Sequence, residues 1–302
     1  AEIGKRDNWD GTASQRIVAF DRHSGAVQWQ CEARHSFRHN AIAAGEGRLY
    51  LIDSLPDVAV QKLQRRGEEA TLQPRMLALD LASGSVVWET AQNVFGTWLS
   101  YSDKHGLLLQ AGRPSRDMLP NEPGDRIIAH QAATGEVVWD KAHKYFGPIL
   151  LHGDRIITQA IDMKTPGMAL DILTGERLSM ESPLTGESLP WEYGRNYGCN
   201  TVIASPNLIT FRSAAAGYFD LSTGGGTGNL GGFKSGCTSN LVVADGLLNA
   251  PEYTRTCTCS YQNRTSLALV HSPDVETWTF TMLARGQEPI HALGLNLGAP
   301  GD

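Results

Sequence analysis

The sequence predicts an all-β fold built from repeated four-stranded antiparallel sheets. Three observations predict it: a turn-centred motif that recurs along the chain, apolar runs of strand length between its copies, and 32 glycines, enough for many tight turns. With 302 residues, 41% hydrophobic and 19% charged, the chain can bury a large core and lies outside the disordered class. Its net charge of −6 is not clustered and offers no basic surface for phosphates, which argues against a nucleic-acid partner. No apolar run approaches the ~20 residues a membrane-spanning helix needs. No signal peptide is visible after Ala1, and the chain stops at Asp302 in turn-like sequence, so it is expected to be a mature or truncated piece of something longer.

The motif appears first as Ala19-Phe20-Asp21-Arg22-His23-Ser24-Gly25 and closes at Trp29. It recurs from Ala78 through Asp80 and Gly84 to Trp88, and from Ala129 through Gly135 to Trp139, where Gln131 replaces the aspartate. A fourth copy has Ala169, Asp171 and Gly175 but no closing tryptophan. The fifth keeps Asp220 and Gly224, and the sixth only Ala268 and Trp278. The run Arg16–Phe20 reads as a buried strand. The aspartate folds its carboxylate onto turn amides, the glycine supplies a positive φ, and the next strand returns antiparallel to end on the aromatic. The turn glycines lie 59, 51, 40 and 49 residues apart, room for four short strands and their turns.

Between these hairpins lie further strand pairs: Asn40–Ala44 with Arg48–Ile52, Thr201–Ala204 with Leu208–Phe211, and Asn240–Ala244 with Leu247–Leu248. One such pair plus one motif hairpin makes a propeller blade. The polar segments Ser54–Pro74 and Pro114–Gly124 are expected as surface loops.

The Ala-x-Asp-x-x-Ser/Thr-Gly-x-x-x-Trp element resembles the tryptophan-docking repeat of PQQ-like β-propellers. That family includes quinoprotein alcohol dehydrogenases and BamB-like outer-membrane assembly lipoproteins. The resemblance covers about residues 16 to 280 and implies docking roles for Trp29, Trp88, Trp139 and Trp278. It makes residues 1–302 a single propeller domain with about five complete blades. The chain opens on half a blade, and Ile290–Leu295 starts a further strand. Family members usually close rings of seven or eight blades, so a truncated ring, incomplete at one or both ends, is expected.

The cysteines form the conspicuous chemical cluster. Cys199 and Cys237 precede first strands in matching positions, and Cys257 and Cys259 stand two apart in one sector. Disulfides, buried thiols and a metal site all remain open. The one-residue gap is a poor fit to zinc, whose paired ligands usually stand farther apart. The resemblance implies PQQ with Ca²⁺ as a cofactor of its enzyme members, but their adjacent Cys-Cys pair is missing here. Cys31, beside Trp29, reads as core.

Starts of first strands usually line the mouth of a propeller channel. His39, Asn40 and Asn200 fall there, and Arg113 and Arg212 follow second strands, a set suited to an anionic or polyhydroxy ligand. The competing reading has both arginines capping carbonyls at blade edges. Gly224–Gly228 spells a turn and not a phosphate loop, for it lacks the Gly-Lys-Ser/Thr ending. Glu187, Glu192 and Asp162 have no evident partner for acid–base work, and His143, His152 and His271 have no ligand spacing. The leading expectation is a non-catalytic propeller module of an exported bacterial protein, periplasmic or extracellular, that binds a protein, glycan or polar ligand on one face. The alternative is a PQQ/Ca-dependent dehydrogenase or a glycan-active propeller enzyme.

Overall fold

The computed structural model describes residues 13–55, 57–67, 73–114, 122–182, 185–198, 201–231, 233, 241–251, 266–274 and 279–280, with only backbone for 57–59 and 279–280. Strand makes up 51% of the chain and helix 3%, as an all-β propeller requires. The chain divides into two compact units. One is Ala1–Gly153 with Leu173–Gly175, the other Asp154–Ile172 with Glu176–Asp302.

In the first unit, β1 (Ala13–Phe20), β2 (Val27–Gly45), β3 (Arg48–Asp53), β4 (Arg75–Asp80) and β5 (Val86–Thr90) form one antiparallel sheet in chain order. A helix, α1 (Asp57–Arg65), stands between β3 and β4. The sequence predicts only a loop there. The helix forms because Val60 is buried and Leu63, three residues on, is half-buried on the same face, while Lys62 and Arg65 complement the C-terminal dipole. A second sheet contains β6 (Trp98–Ser102), β7 (Leu107–Ala111), β8 (Arg126–Gln131) and β9 (Val137–Ala142), followed by β10 (Leu150–His152).

The first hairpin does not break from its neighbour as a separate blade would. From Val27 to Ala44 there is neither glycine nor proline, and β2 runs through, with a register shift between Phe37 and Ile42. Packing still separates the two hairpins. Tyr50, Ile52, Met76 and Ala78 face Leu99 and Leu108 of the second sheet. Leu51, Leu77 and Leu79, on the opposite face, pack on Ile17, Trp29 and Cys31. A sheet covered on both sides explains why β3 and β4 are continuously apolar and do not alternate.

The motif owes its shape to three repeated features. Ala19, Ala78 and Ala129 stand opposite Trp29, Trp88 and Trp139, and each ladder shifts register one step later. A small residue leaves room for the indole, and the bulge increases the local twist. Asp21 accepts from the amides of Ser24 and His23, and Asp80 from the hydroxyl and the amide of Ser83, bonds that hold both carboxyls below the usual range. Each indole then reaches the next turn. Trp29 Nε1 donates to the Leu81 carbonyl at 2.9 Å and Trp88 Nε1 to that of Ala132 at 3.0 Å. Gly84, Gly135 and Gly175 lie against Trp29, Trp88 and Trp139 in turn. Trp139 is buried, whereas Trp29 and Trp88 are only half-buried.

In the second unit, β11 (Arg155–Ile157) pairs with β12 (Gly167–Asp171). A small hairpin of β13 (Ser179–Glu181) and β14 (Ser188–Pro190) follows, and β15 (Glu192–Tyr193) returns to β12. Next come β16 (Ile203–Ala204), β17 (Leu208–Ser213), β18 (Ala215–Asp220) and β19 (Thr227–Asn229), then β20 (Val242–Ala244), β21 (Leu247–Ala250) and β22 (Leu267–Val270) in a sheet of their own. The last described strand, β23 (Thr279–Phe280), pairs with β19. Trp191, Tyr193, Phe211 and Phe219 form an aromatic cluster with centroids 5.5–6.0 Å apart. Thus Trp191 supplies bulk in a repeat that lacks its closing tryptophan.

Candidate functional site

In the first unit, polar side chains gather where strands end. Asn40, late in β2, turns its amide oxygen to the terminal nitrogens of Arg113, at 2.9 and 3.0 Å. Arg113 Nε donates to Thr97 Oγ1 at 3.3 Å, and Thr97 Oγ1 donates to Glu122 Oε1 at 2.5 Å. Arg38 is also buried. Burial pulls the pKa of both guanidinium groups below the ordinary arginine value, and Glu122 works against that for each. Close packing fixes the loop that carries Arg113. The Gly112 amide donates to Tyr145 Oη at 2.8 Å, and a Cβ at Gly112 would fall 1.8 Å from the Pro123 carbonyl oxygen.

Two residues singled out from sequence, Asn40 and Arg113, therefore meet. Their meeting ties strand ends together, since Arg113 gives all three nitrogens to side chains of the protein. His39 turns the other way: it is exposed and shares a 2.8 Å hydrogen bond with Ser14 Oγ. Thr97, Glu122 and Arg38 complete the cluster and were missed. Thr97 could have been found by aligning the starts of first strands, because it directly precedes β6. Glu122 sits in a polar insertion and gives no such signal.

The second unit holds Arg212, buried in β17 with its guanidinium carbon 5.4 Å from the centroid of the Tyr197 ring. The segment Asn196–Gly198 is stitched along the tip of the β17–β18 hairpin. The Asn196 amide donates to Ser213 Oγ at 2.9 Å, and the Ala214 amide to the Tyr197 carbonyl at 2.6 Å. Beside this segment opens a groove of about 330 Å³ lined by Asp162, Met163, Lys164, Arg195, Asn196 and Tyr197. Arg195 is 2% exposed and Tyr197 52%. Asp162 Oδ1 accepts from the amides of Lys164 and Thr165, at 2.9 and 2.8 Å. Cys199, Asn200, Cys237, Cys257, Cys259 and Trp278 lie outside the described residues. Cys31 is a free, half-buried thiol whose pKa burial pushes up.

Residues 75–292 match the family described as outer membrane protein assembly factor BamB. The chain belongs to that family. No curated protein sequence matches it. Among solved structures it is similar to BamB from Moraxella catarrhalis, at 15% identity and a TM-score of 0.50, over 87% of this chain and 70% of that one. It is also similar to a hydrazine synthase from Kuenenia stuttgartiensis, at 12% identity and a TM-score of 0.46, over 72% of this chain and 60% of that one. A europium-containing methanol dehydrogenase gives 14% identity and a TM-score of 0.40, over 67% and 49%. The chain thus spans less than two thirds of the length of these last two. At such identities the likeness is one of fold.

The quinoprotein branch of the resemblance implies a bound Ca²⁺. Among the described residues no group of three or more His, Cys, Asp or Glu is placed to hold a metal ion. Among them, too, no helix is long and apolar enough to cross a membrane.

Proposed function

We propose that the chain is a non-catalytic propeller module of an exported bacterial protein. It works in the periplasm or outside the cell and binds a protein, glycan or polar ligand over one face of its blades. The observation that carries this reading is the family match over residues 75–292, to a family whose description names an assembly factor. In this reading Trp29, Trp88 and Trp139 dock each repeat onto the next turn. The test adds PQQ and Ca²⁺ to the full chain, then an alcohol and a redox dye. No stoichiometric cofactor uptake and no dye reduction are expected. Uptake of one PQQ per chain with alcohol-dependent dye reduction would replace the module by an enzyme.

A further inference from the structure

The residue just before the motif aspartate, or before Gln131 in the third copy, keeps one register from repeat to repeat. Phe20 stands opposite Val27, Leu79 opposite Val86, His130 opposite Val137 and Leu170 opposite Arg177. Leu79, His130 and Leu170 are fully buried, and Phe219 of the fifth copy is buried too. Phe20 is 59% exposed. Leu79 shows what covers this position, for it shares a core cluster with Trp29 of the preceding repeat. The turn glycines repeat the contrast. A Cβ at Gly84, Gly135 or Gly175 would fall 2.6, 2.8 and 2.8 Å from the rings of Trp29, Trp88 and Trp139. At Gly224 it would fall 3.1 Å from Cε of Met180, which serves the repeat without a closing tryptophan. At Gly25 it would meet nothing within 4 Å, and Gly25 is exposed where its four counterparts are not. The Arg22 carbonyl matches the Leu81 and Ala132 carbonyls, which accept indole bonds, but it receives none from the described residues.

We propose that Phe20, Gly25 and the Arg22 carbonyl form a docking site for a tryptophan that another protein presents from the end of a β-strand. The later copies of this turn in the same chain define the occupant. Glycine lets a flat ring lie directly on the backbone, as the indoles of Trp29 and Trp88 do on Gly84 and Gly135. The carbonyl can only accept, so the ring must bring an N–H on its flank. Phe20 supplies the apolar wall that Leu79 supplies for Trp29. A phenylalanine would leave the carbonyl without a donor, and a tyrosine carries its donor at the tip of the ring, not on the flank. The inference rests on the reading of the chain as a binding module, and it names a protein strand as the partner and the first turn as the place it meets.

The test titrates the full chain with a capped peptide, Gly-Ser-Val-Val-Trp-Glu-Thr, the sequence of residues 84–90, carrying fluorotryptophan and followed by fluorine NMR. Saturable binding of one peptide per chain is expected. Phe20→Ser and Gly25→Ala should each weaken it about tenfold, the first by removing the wall and the second by placing a methyl where the ring lies. Phenylalanine in place of the peptide's tryptophan should weaken it several-fold through the lost hydrogen bond. Phe20 is exposed and Gly25 has open space, so circular dichroism melts close to that of the native chain would establish that both variants fold. No saturable binding, or equal binding by the native chain and both variants, would overturn the site. Binding that appears only in a Trp278→Phe variant would give the site to this chain's own tryptophan, and self-association abolished by Phe20→Ser would give it to a second copy; either overturns the partner. None of these results touches the module reading, which fails only by PQQ uptake with turnover.

Discussion

Gly25 and Gly84 share a φ of +72°, but a Cβ at Gly25 meets nothing within 4 Å, whereas at Gly84 it would sit 2.6 Å from the Trp29 ring. Alanine at Gly25 should cost only the left-handed strain, about 1 kcal/mol, and at Gly84 a further ~1–3 kcal/mol for displacing the indole. Urea midpoints of the two variants read the difference directly, and equal losses would mean that the indole contact carries no weight. His130 gives a second residue-scale prediction. It is fully buried, and its Nδ1 lies 3.1 Å from the Gly135 carbonyl, which can only accept, so the neutral ring carries its proton there. Burial, partly opposed by that hydrogen bond, pulls its pKa below the ordinary histidine value. The unfolded chain therefore binds more protons than the folded one at mildly acidic pH. The contribution is fully present above the unfolded pKa of about 6.5 and is lost as pH falls through it toward the folded value. Stability measured from pH 7 to 5 should fall less steeply for His130→Gln than for the native chain. The turn residues around Asp21 and Asp80 were legible because their partners lie two or three positions away. The partners of Arg113 were not, since they come from three other segments.

At the level of elements, each of the first three hairpins is clamped by an arginine on one strand and an acceptor fourteen residues on, just past the tryptophan. The pairs are Arg16 with Gln30, Arg75 with Glu89, and Arg126 with Asp140. This spacing was visible in the sequence beside the motif, but a polar pair on strand termini does not announce itself without the register. The clamps are not equal. Arg75 is 9% exposed at its side chain and also holds Asp53, which is fully buried, at 3.0 Å. Removing it strands a buried carboxylate, so Arg75→Met should cost about 3 kcal/mol, the lower end of the usual range, because the amides of Arg34 and His35 still bond Asp53. Arg126 and Asp140 are 37% and 34% exposed, and Arg126→Met should cost less than about 1 kcal/mol. Comparable losses at both sites would contradict this ordering. Helix α1 escaped the sequence reading because it lies inside a polar segment, where Val60 and Leu63 supply the apolar face among its described side chains.

For the molecule as a whole, the repeat made the fold class legible because one motif recurs with the same strand and turn chemistry. Ligand and blade number were not legible, since they depend on loops and insertions that follow no period. The cysteines give the whole-chain prediction. If Cys237 stands roughly 4.4–6.8 Å, Cα to Cα, from Cys199, Cys257 or Cys259, oxidised material should titrate with fewer than the five thiols of the sequence. A Cys237–Cys257 bond would contribute about 3 kcal/mol in the chain-entropy view and would suit an oxidising compartment. Five reactive thiols in denatured, unreduced protein would dismiss it.

The indole bonds from Trp29 to Leu81 and from Trp88 to Ala132 have a consequence for recombination. Each plug belongs to one repeat and its socket to the following one, while the segment between them varies in length. A chimera joined anywhere between a plug and its socket inherits one half of the contact from each parent. Such a joint preserves the interface as long as both parents keep the tryptophan and the turn glycine. Repeats of this chain should therefore be exchangeable, duplicable or deletable as whole register units, with loop length free to drift and the plug-and-socket pair as the conserved currency of assembly.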